Sequence, residues 1–277
     1  MAISAKEVNE LRKKTGAGLM DCKKALTETN GDLEAAIDLL RKKGAKVAEL
    51  RAGRDANEGV VIAQTNEDAT KGIILRLSCE TDFVAKNQEF IDFAQSVADM
   101  ALANDIKDLD SLMEAELDGT VIKDIMAEKI AAIGENVSLS KYEYITGAGI
   151  VPYIHAGYRI GVLVEVNAAV ENGVNEIGRD VAMQVAAMNP VAVDKDQVPQ
   201  ETIDREMAIG REKALAEGKP ENIVDKIAEG SVNKFLKENT LLNQPFVKDA
   251  KKTVAQALNE SHNGLTVNSF SRVSLAD

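Results

Sequence analysis

The chain has 277 residues, 45% of them hydrophobic and 28% charged, the profile of a soluble globular protein with room for about two domains. A formal net charge of −12 disfavours general binding to a phosphate backbone, and no run of about 18 apolar residues is present to span a bilayer. The only cysteines, Cys22 and Cys79, lie far apart, and charges occupy the opening MAISAKEVNELRKKTG where a secretory leader needs an apolar stretch, so a reduced, cytoplasmic setting is expected.

Taken in chain order, Ser4-Ala5-Lys6-Glu7 reads as a capping box that starts a helix bearing Val8 and Leu11 on one face and ending near Thr15-Gly16. A second helix is expected from about Leu19 to Thr29, closed by Asn30-Gly31. Asp32 caps a third, with Ala36, Ile37 and Leu40 inward and Gly44 as its stop. Three short helices of this kind resemble a ubiquitin-associated-type (UBA-like) module in shape, which by itself assigns no function.

After a charged linker over Ala45–Glu58 the pattern turns to strands. Val60–Ala63 and Gly72–Leu77 flank a polar Thr65–Lys71 turn and predict an antiparallel hairpin. Val137–Ile145, Ile150–Ile154 and Arg159–Val166 are strand-like again. An internal repeat underlies this region. GIILRLSC (Gly72–Cys79) matches GVLVEVNA (Gly161–Ala168), and FAQSVADM (Phe93–Met100) matches VAMQVAAM (Val181–Met188), both about 88 residues apart. The prediction is two related α+β halves, each a small antiparallel sheet with helices on one face.

The halves differ between strand and helix. The first carries CETDFVAKN, residues 79–87, with Thr81-Asp82-Phe83-Val84 as the connection and a helical pattern from near Gln88; the second carries the bland AVENGVNE. If the aromatic turn served folding alone, the second half would need one too. Phe83 is therefore expected to protrude for a functional purpose, with core packing of the ring as the alternative.

Gln200–Glu217 and Pro220–Lys237 are charged, Ala-rich helical stretches joined by Gly218-Lys219, with Pro220 suited to a first helical position. They predict an antiparallel helical hairpin, a coiled-coil arm too polar for a core and projecting into solvent. A helix near Lys251–Glu260 and a last strand at Leu265–Arg272 close the chain. The expected organisation is a helical module with its linker over 1–54, a first core half over 55–145, a second over 146–198, the arm over 199–240 and a return segment over 241–277.

Residues that carry chemistry are scarce. His155 and His262 are the only histidines, there is no GxSxG elbow, and two distant Cys with two distant His make no metal site. No GxxxxGK[ST] phosphate loop occurs, and Gly16-Ala17-Gly18 fails as a dinucleotide fingerprint because Asp21 stands at the third glycine position and a helix precedes it. An enzyme is not expected, nor a metal or cofactor.

TGAGLMDCKKAL at Thr15–Leu26, the NGDLEAAIDLLRKKG that follows, and TDFVAKN closely resemble the bacterial elongation factor Ts family. Ala132–Asn136, Tyr153-Ile154-His155 with Arg159–Val164, and Gln244–Val247 extend the resemblance in the same order over essentially the whole chain. It implies a nucleotide exchange factor for elongation factor Tu, the GTPase that delivers aminoacyl-tRNA, acting by binding with no direct nucleic-acid or membrane contact. The module, the core and the arm would form one partner-binding surface. By the same resemblance Thr81, Asp82, Phe83 and Val84 belong to the segment that reaches the GTPase near its magnesium site, where the Phe wedges between side chains. Ile133, Gly134 and His155 would contact that domain near its phosphate-binding loop, and Arg12, Leu19, Met20 and Lys23 would dock the module on a GTPase helix. Position 19 is commonly Met in the family, and Leu there is expected to be mild. Relatives are expected to continue past the last strand with a glycine-acidic segment and a terminal helix, whereas this chain ends at Ser274-Leu275-Ala276-Asp277. A binding adaptor without exchange activity is the rival reading; RNA binding is a weaker third, opposed by the acidic charge.

Overall fold

Ser4 opens the first helix of the computed structural model, which describes residues 3–51 and 53–277. The Ser4 hydroxyl accepts the Glu7 N–H at 3.3 Å while the Glu7 carboxylate accepts the Ser4 N–H at 2.7 Å, and α1 runs over Ala5–Thr15 to a left-handed Gly16. α2 spans Leu19–Glu28, and Asp32 caps α3, Leu33–Arg51, by accepting the Ala35 N–H at 3.0 Å. Val8, Leu11, Cys22, Ala25, Leu26 and Ala36 form the small core of this module.

Here one expectation fails. Gly44 does not stop the third helix, which continues to Arg51 through much of what the composition suggested was a linker. The reason is packing. A Cβ on Gly44 would stand 3.1 Å from both the Ala127 carbonyl oxygen and the Ala131 Cβ of a later helix, so the glycine serves close helix–helix approach, not termination.

Two three-stranded antiparallel sheets follow. In the first, β1 (Glu58–Thr65) and β2 (Lys71–Cys79) form the expected hairpin, pinned at its turn by the Asn66 side chain, which accepts the N–H groups of Thr70 and Lys71. After β2 come α4 (Asp82–Ala85), α5 (Gln88–Ala103) and α6 (Leu109–Met113). A two-residue ribbon, β3 (Glu116–Leu117) with β4 (Thr120–Val121), leads into α7 (Ile122–Ile133), and β5 (Val137–Thr146) completes the order β1-β2-β5. α7 had no sequence expectation, although Ile122, Met126 and Ile130 recur at helical spacing and are buried.

The second sheet repeats this plan. β6 (Gly149–His155) and β7 (Ile160–Val166) make a hairpin, α8 (Val174–Met188) follows, and the last strand β10 (Val267–Ser274) pairs with β7 to give the order β10-β7-β6. Between α8 and β10 lie α9 (Gln200–Ala216), α10 (Glu221–Asn239), a short ribbon of β8 (Pro245–Phe246) with β9 (Asp249–Thr253), and α11 (Val254–Ser261). α9 and α10 are the expected antiparallel pair, zipped along Gly210, Ala214, Val224, Ala228 and Val232. Pro220 stands at the N-cap of α10, just before the position expected for it. α11 begins later than the Lys251 start expected, because Thr253 and Gln256 form a capping box and Lys251-Lys252 lie within β9.

The sheets pack face to face with helices outside, in four layers. Val60, Ile62, Ile73, Leu75 and Leu77 point toward α5 and α7, whereas Val61, Ala63 and Ile74 meet Ile150, Leu163 and Val273 between the sheets. Val162, Val164 and Val166 face α8 and α11. Glycines permit the close sheet contact: a Cβ on Gly72 would meet the side chains of Ile150 at 2.9 Å and Leu163 at 3.3 Å, and one on Gly161 would meet Val61 at 2.6 Å and Ile74 at 3.0 Å.

Candidate functional site

β2 ends at Cys79, and the chain turns at once into the one-turn helix α4. Thr81 is extended (φ −124°, ψ 152°), and its hydroxyl accepts the Val84 N–H at 3.5 Å, capping the turn. Val84 packs against the first core and Ala85 is buried in it, so Asp82 and Phe83 are left on the outer side. The consequence is sharp: Phe83 is 84% exposed, while Phe90 and Phe93 of the adjoining α5 are 4% and 8% exposed. Beside it, Lys86 Nζ lies 2.6 Å from an Asp82 carboxylate oxygen and, with its hydrogen bond, holds that carboxyl below its ordinary range. Asn87 restarts the helix as the cap of α5, accepting the Glu89 N–H at 3.0 Å.

A second segment stands against this turn. α7 ends at Gly134 (φ 78°), whose N–H bonds back to the Ile130 carbonyl at 2.8 Å. Ile133 is half-buried against the first core, and the space beside the Gly134 Cα is open. The next residue, Glu135, accepts two hydrogen bonds from Thr81: its N–H at 3.1 Å and its hydroxyl at 2.8 Å. In return Glu80 accepts the Asn136 N–H at 2.6 Å. Arg51, the last residue of α3, lies 3.2 Å from the same Glu80 carboxylate, and Arg54 lies 3.5 Å from it. The Asn136 amide donates to the Arg54 carbonyl at 2.7 Å. The Asn136 N–H, and after it Arg51 and Arg54, hold the Glu80 carboxyl below its ordinary range.

His155 closes β6. The turn after it strings together Ala156, Gly157 and Tyr158 at φ 52°, 64° and 69°. Tyr153 Oη is 3.0 Å from His155 Nδ1, and the Tyr158 carbonyl accepts the Val61 N–H at 2.8 Å, anchoring the turn to the first sheet. Tyr158 packs against the same core as Val84 and Ile133. Thus Thr81–Val84 and Ile133-Gly134 are joined directly by hydrogen bonds, and His155 is tied to their common support through Tyr158.

On the helical module Arg12, Leu19, Met20 and Lys23 are all exposed, Leu19 and Met20 to 51% and 60%. The module reaches the core through α3 and α7, where Arg41 Nε lies 2.7 Å from Glu128. A groove of about 560 Å³ between the end of α1 and the core is lined by Lys13, Lys14, Val84, Phe90 and Ile133 among others, so it opens beside the Phe83 turn.

Among the described residues no three His, Cys, Asp or Glu side chains cluster closely enough to hold a metal ion. Burial pushes the Cys79 thiol up to about 12 and raises that of Cys22, so neither is a ready nucleophile. The connecting residues Glu80, Glu135, Asn136, Arg51 and Arg54 had no sequence-based role. Glu80 and Glu135 flank the two motifs, but nothing in a linear reading says that they cross over.

Residues 80–277 match the family model described as Elongation factor TS. The chain is 51% identical over 273 residues to the elongation factor Ts of Amoebophilus asiaticus, covering 99% of each. It is 47% identical to that of Christiangramia forsetii, covering 99% of this chain and 98% of the relative. With that of Cytophaga hutchinsonii it shares 46% identity over 99% of both.

Proposed function

The chain belongs to the elongation factor Ts family, and we propose that it promotes GDP release from elongation factor Tu by binding alone, as a guanine nucleotide exchange factor of translation elongation. The observation that carries this reading is the 84% exposed Phe83 on a capped turn beside Asp82, fastened to the Gly134 turn. A side chain so exposed contributes little to its own fold and is available to a partner.

In this reading Asp82 and Phe83 enter near the magnesium site of the GTPase, the ring wedging between side chains and the carboxylate perturbing the ion's surroundings. Ile133, Gly134 and His155 press on the side of the phosphate-binding loop. Arg12, Leu19, Met20 and Lys23 dock the module on a GTPase helix, with Thr81 and Val84 supporting the wedge from below. No chemical step on this chain is involved. The factor works in the cytoplasm, and no helix among the described residues is long and apolar enough to cross a membrane.

The energetics require a broad surface. A protein that binds the nucleotide-free GTPase more tightly than the loaded one weakens nucleotide binding by the same factor. Accelerating release about 10⁴-fold takes roughly 5.5 kcal/mol of differential stabilisation. One Phe transferred from water supplies about 1.5–3 kcal/mol at best, so the wedge needs the module and the second contact segment behind it. The test is release of fluorescent GDP from elongation factor Tu with this protein in catalytic amount. Strong acceleration is expected; an unchanged release rate would leave only an adaptor that binds without exchanging.

A further inference from the structure

The proposed contact elements, Asp82-Phe83 and Ile133-Gly134, come from distant parts of the sequence and are held in register by a crossed pair of carboxylates. Glu135, just past the second element, takes both the N–H and the hydroxyl of Thr81, just before the first. Glu80, one residue earlier, takes the N–H of Asn136, one residue after Glu135. Each turn's backbone is thus capped by the other's side chain. Thr81 is used twice, since the hydroxyl that donates to Glu135 also accepts the Val84 N–H that starts α4. Glu80 is mostly enclosed, with a side chain 17% exposed, and it also receives Arg51 at the end of α3 and Arg54. The end of the module-bearing helix therefore meets the base of the wedge at one carboxylate.

We propose that Glu135 and Glu80 are positioning residues for nucleotide release, forming a clasp that makes the Asp82-Phe83 turn and the Ile133-Gly134 turn one rigid unit. Neither side chain needs to touch the partner. A ring on a one-turn helix has little of its own to hold it, because an isolated turn of helix is unstable. Hydrogen bonds to ionised carboxylates are about twice as strong as neutral ones and fix direction as well as distance. Rigidity matters because ordering a loose wedge at the moment of binding subtracts from the work available to expel nucleotide.

This inference rests on the exchange reading, and its test separates the two. Glu135→Ala should slow GDP release at saturating factor about tenfold, with the half-saturating concentration moved much less, because only the part of the clasp's hydrogen-bond energy that orders the wedge reaches the release step. Glu135→Gln keeps one acceptor oxygen and should lose about threefold, and it serves if the alanine variant does not fold by circular dichroism. In a Phe83→Ala background Glu135→Ala should cost little more, because the clasp acts through the ring. Full additivity of the two changes, or a Glu135→Ala protein that releases GDP at the normal rate, would overturn the clasp. A partner-free measurement stands beside these. The chain has no Trp, so Phe83→Trp is a sole reporter, and its time-resolved anisotropy should show larger nanosecond motion once Glu135→Ala is added. If Phe83→Ala leaves release unaffected, the exchange reading of this turn is lost, and the anisotropy alone decides the clasp: unchanged motion rejects it.

Discussion

Replacing Phe83 by alanine separates a wedge from a core residue in one experiment. With Phe83 84% exposed, only about one sixth of the residue is covered by the fold. For a Phe that can bury about 200 Å², this is roughly 30 Å² of apolar contact, or about 0.8 kcal/mol at 25 cal/mol per Å². Alanine returns up to about 0.5 kcal/mol through its better helix propensity in α4. The net stability change should lie within about 0.5 kcal/mol, and the melting curve should barely move. Phe90→Ala, at a 4% exposed site on the neighbouring helix, should cost about 3–5 kcal/mol and serves as the contrast. Exchange should respond the opposite way. If the ring is buried in the partner, its loss removes about 1.5–3 kcal/mol, slowing GDP release about 10- to 150-fold. Thermal unfolding by circular dichroism and stopped-flow release of fluorescent GDP measure the two quantities on the same samples. A Phe83→Ala protein destabilised like Phe90→Ala, yet exchanging normally in its folded fraction, would return the ring to the core and refute the reasoning.

Gly44→Leu should force α3 away from Ala127 and Ala131, costing about 1–3 kcal/mol in chemical denaturation, with trypsin cutting sooner near residues 51–57; Gly44→Ala should be far milder. Asn172→Ala, in the connection of the second half that corresponds to Asp82-Phe83, should leave GDP release unchanged and lose about 1 kcal/mol of stability, since it stands at φ 50°. The Glu80 carboxyl is held below its ordinary 4.5, so its contribution to stability is complete above that pH and is lost as pH falls below it. The melting-temperature gap between the parent protein and Glu80→Gln should therefore stay level from pH 8 to pH 5 and narrow toward pH 3, and a gap that widens on acidification would contradict the assignment. Cys79, at 0% exposure, should react with a thiol reagent only when the protein is unfolded in denaturant, which a colorimetric thiol titration reads directly.

Local chemistry made much of the architecture legible. The Ser4–Glu7 and Asp32 caps, the Gly16 stop and the alternating strands around Asn66–Thr70 depend on residues within a few positions of one another, and each appears where its pattern points. The repeat also read correctly, because β2 and β7, the matched strands, are each the centre of a three-stranded sheet. Gly44 misled because one residue type serves two purposes, and only the position of α7 tells close packing from termination. Lys251-Lys252 were absorbed into the last helix because a basic pair suits either element, whereas the Thr253–Gln256 capping box sets the boundary. The exposure of Phe83 was legible from the asymmetry between the halves, whereas the exposure of Leu19 and Met20 was not read from the residue pattern. The Glu135–Thr81 and Glu80–Asn136 hydrogen bonds span more than fifty residues, and no spacing rule reaches that far.

The glycines between the sheets carry a last consequence. Gly72 meets Ile150 and Leu163, and Gly161 meets Val61 and Ile74. Gly72 and Gly161, Ile74 and Leu163, and Val61 and Ile150 are each separated by 89 positions, so every contact is the other with the halves exchanged. This is the signature of an isologous interface about a two-fold axis, the arrangement by which identical subunits pair. The two halves therefore meet as the subunits of a symmetric dimer would, within one polypeptide. Linkage frees such a pair from having to stay identical: the shared face is kept, while one half turns its strand-to-helix connection into α4 and the other admits the α9–α10 arm ahead of its final strand. The differences between the halves lie at the outer edges of a symmetric core, and the exposed Phe83, present on one side only, is one of them.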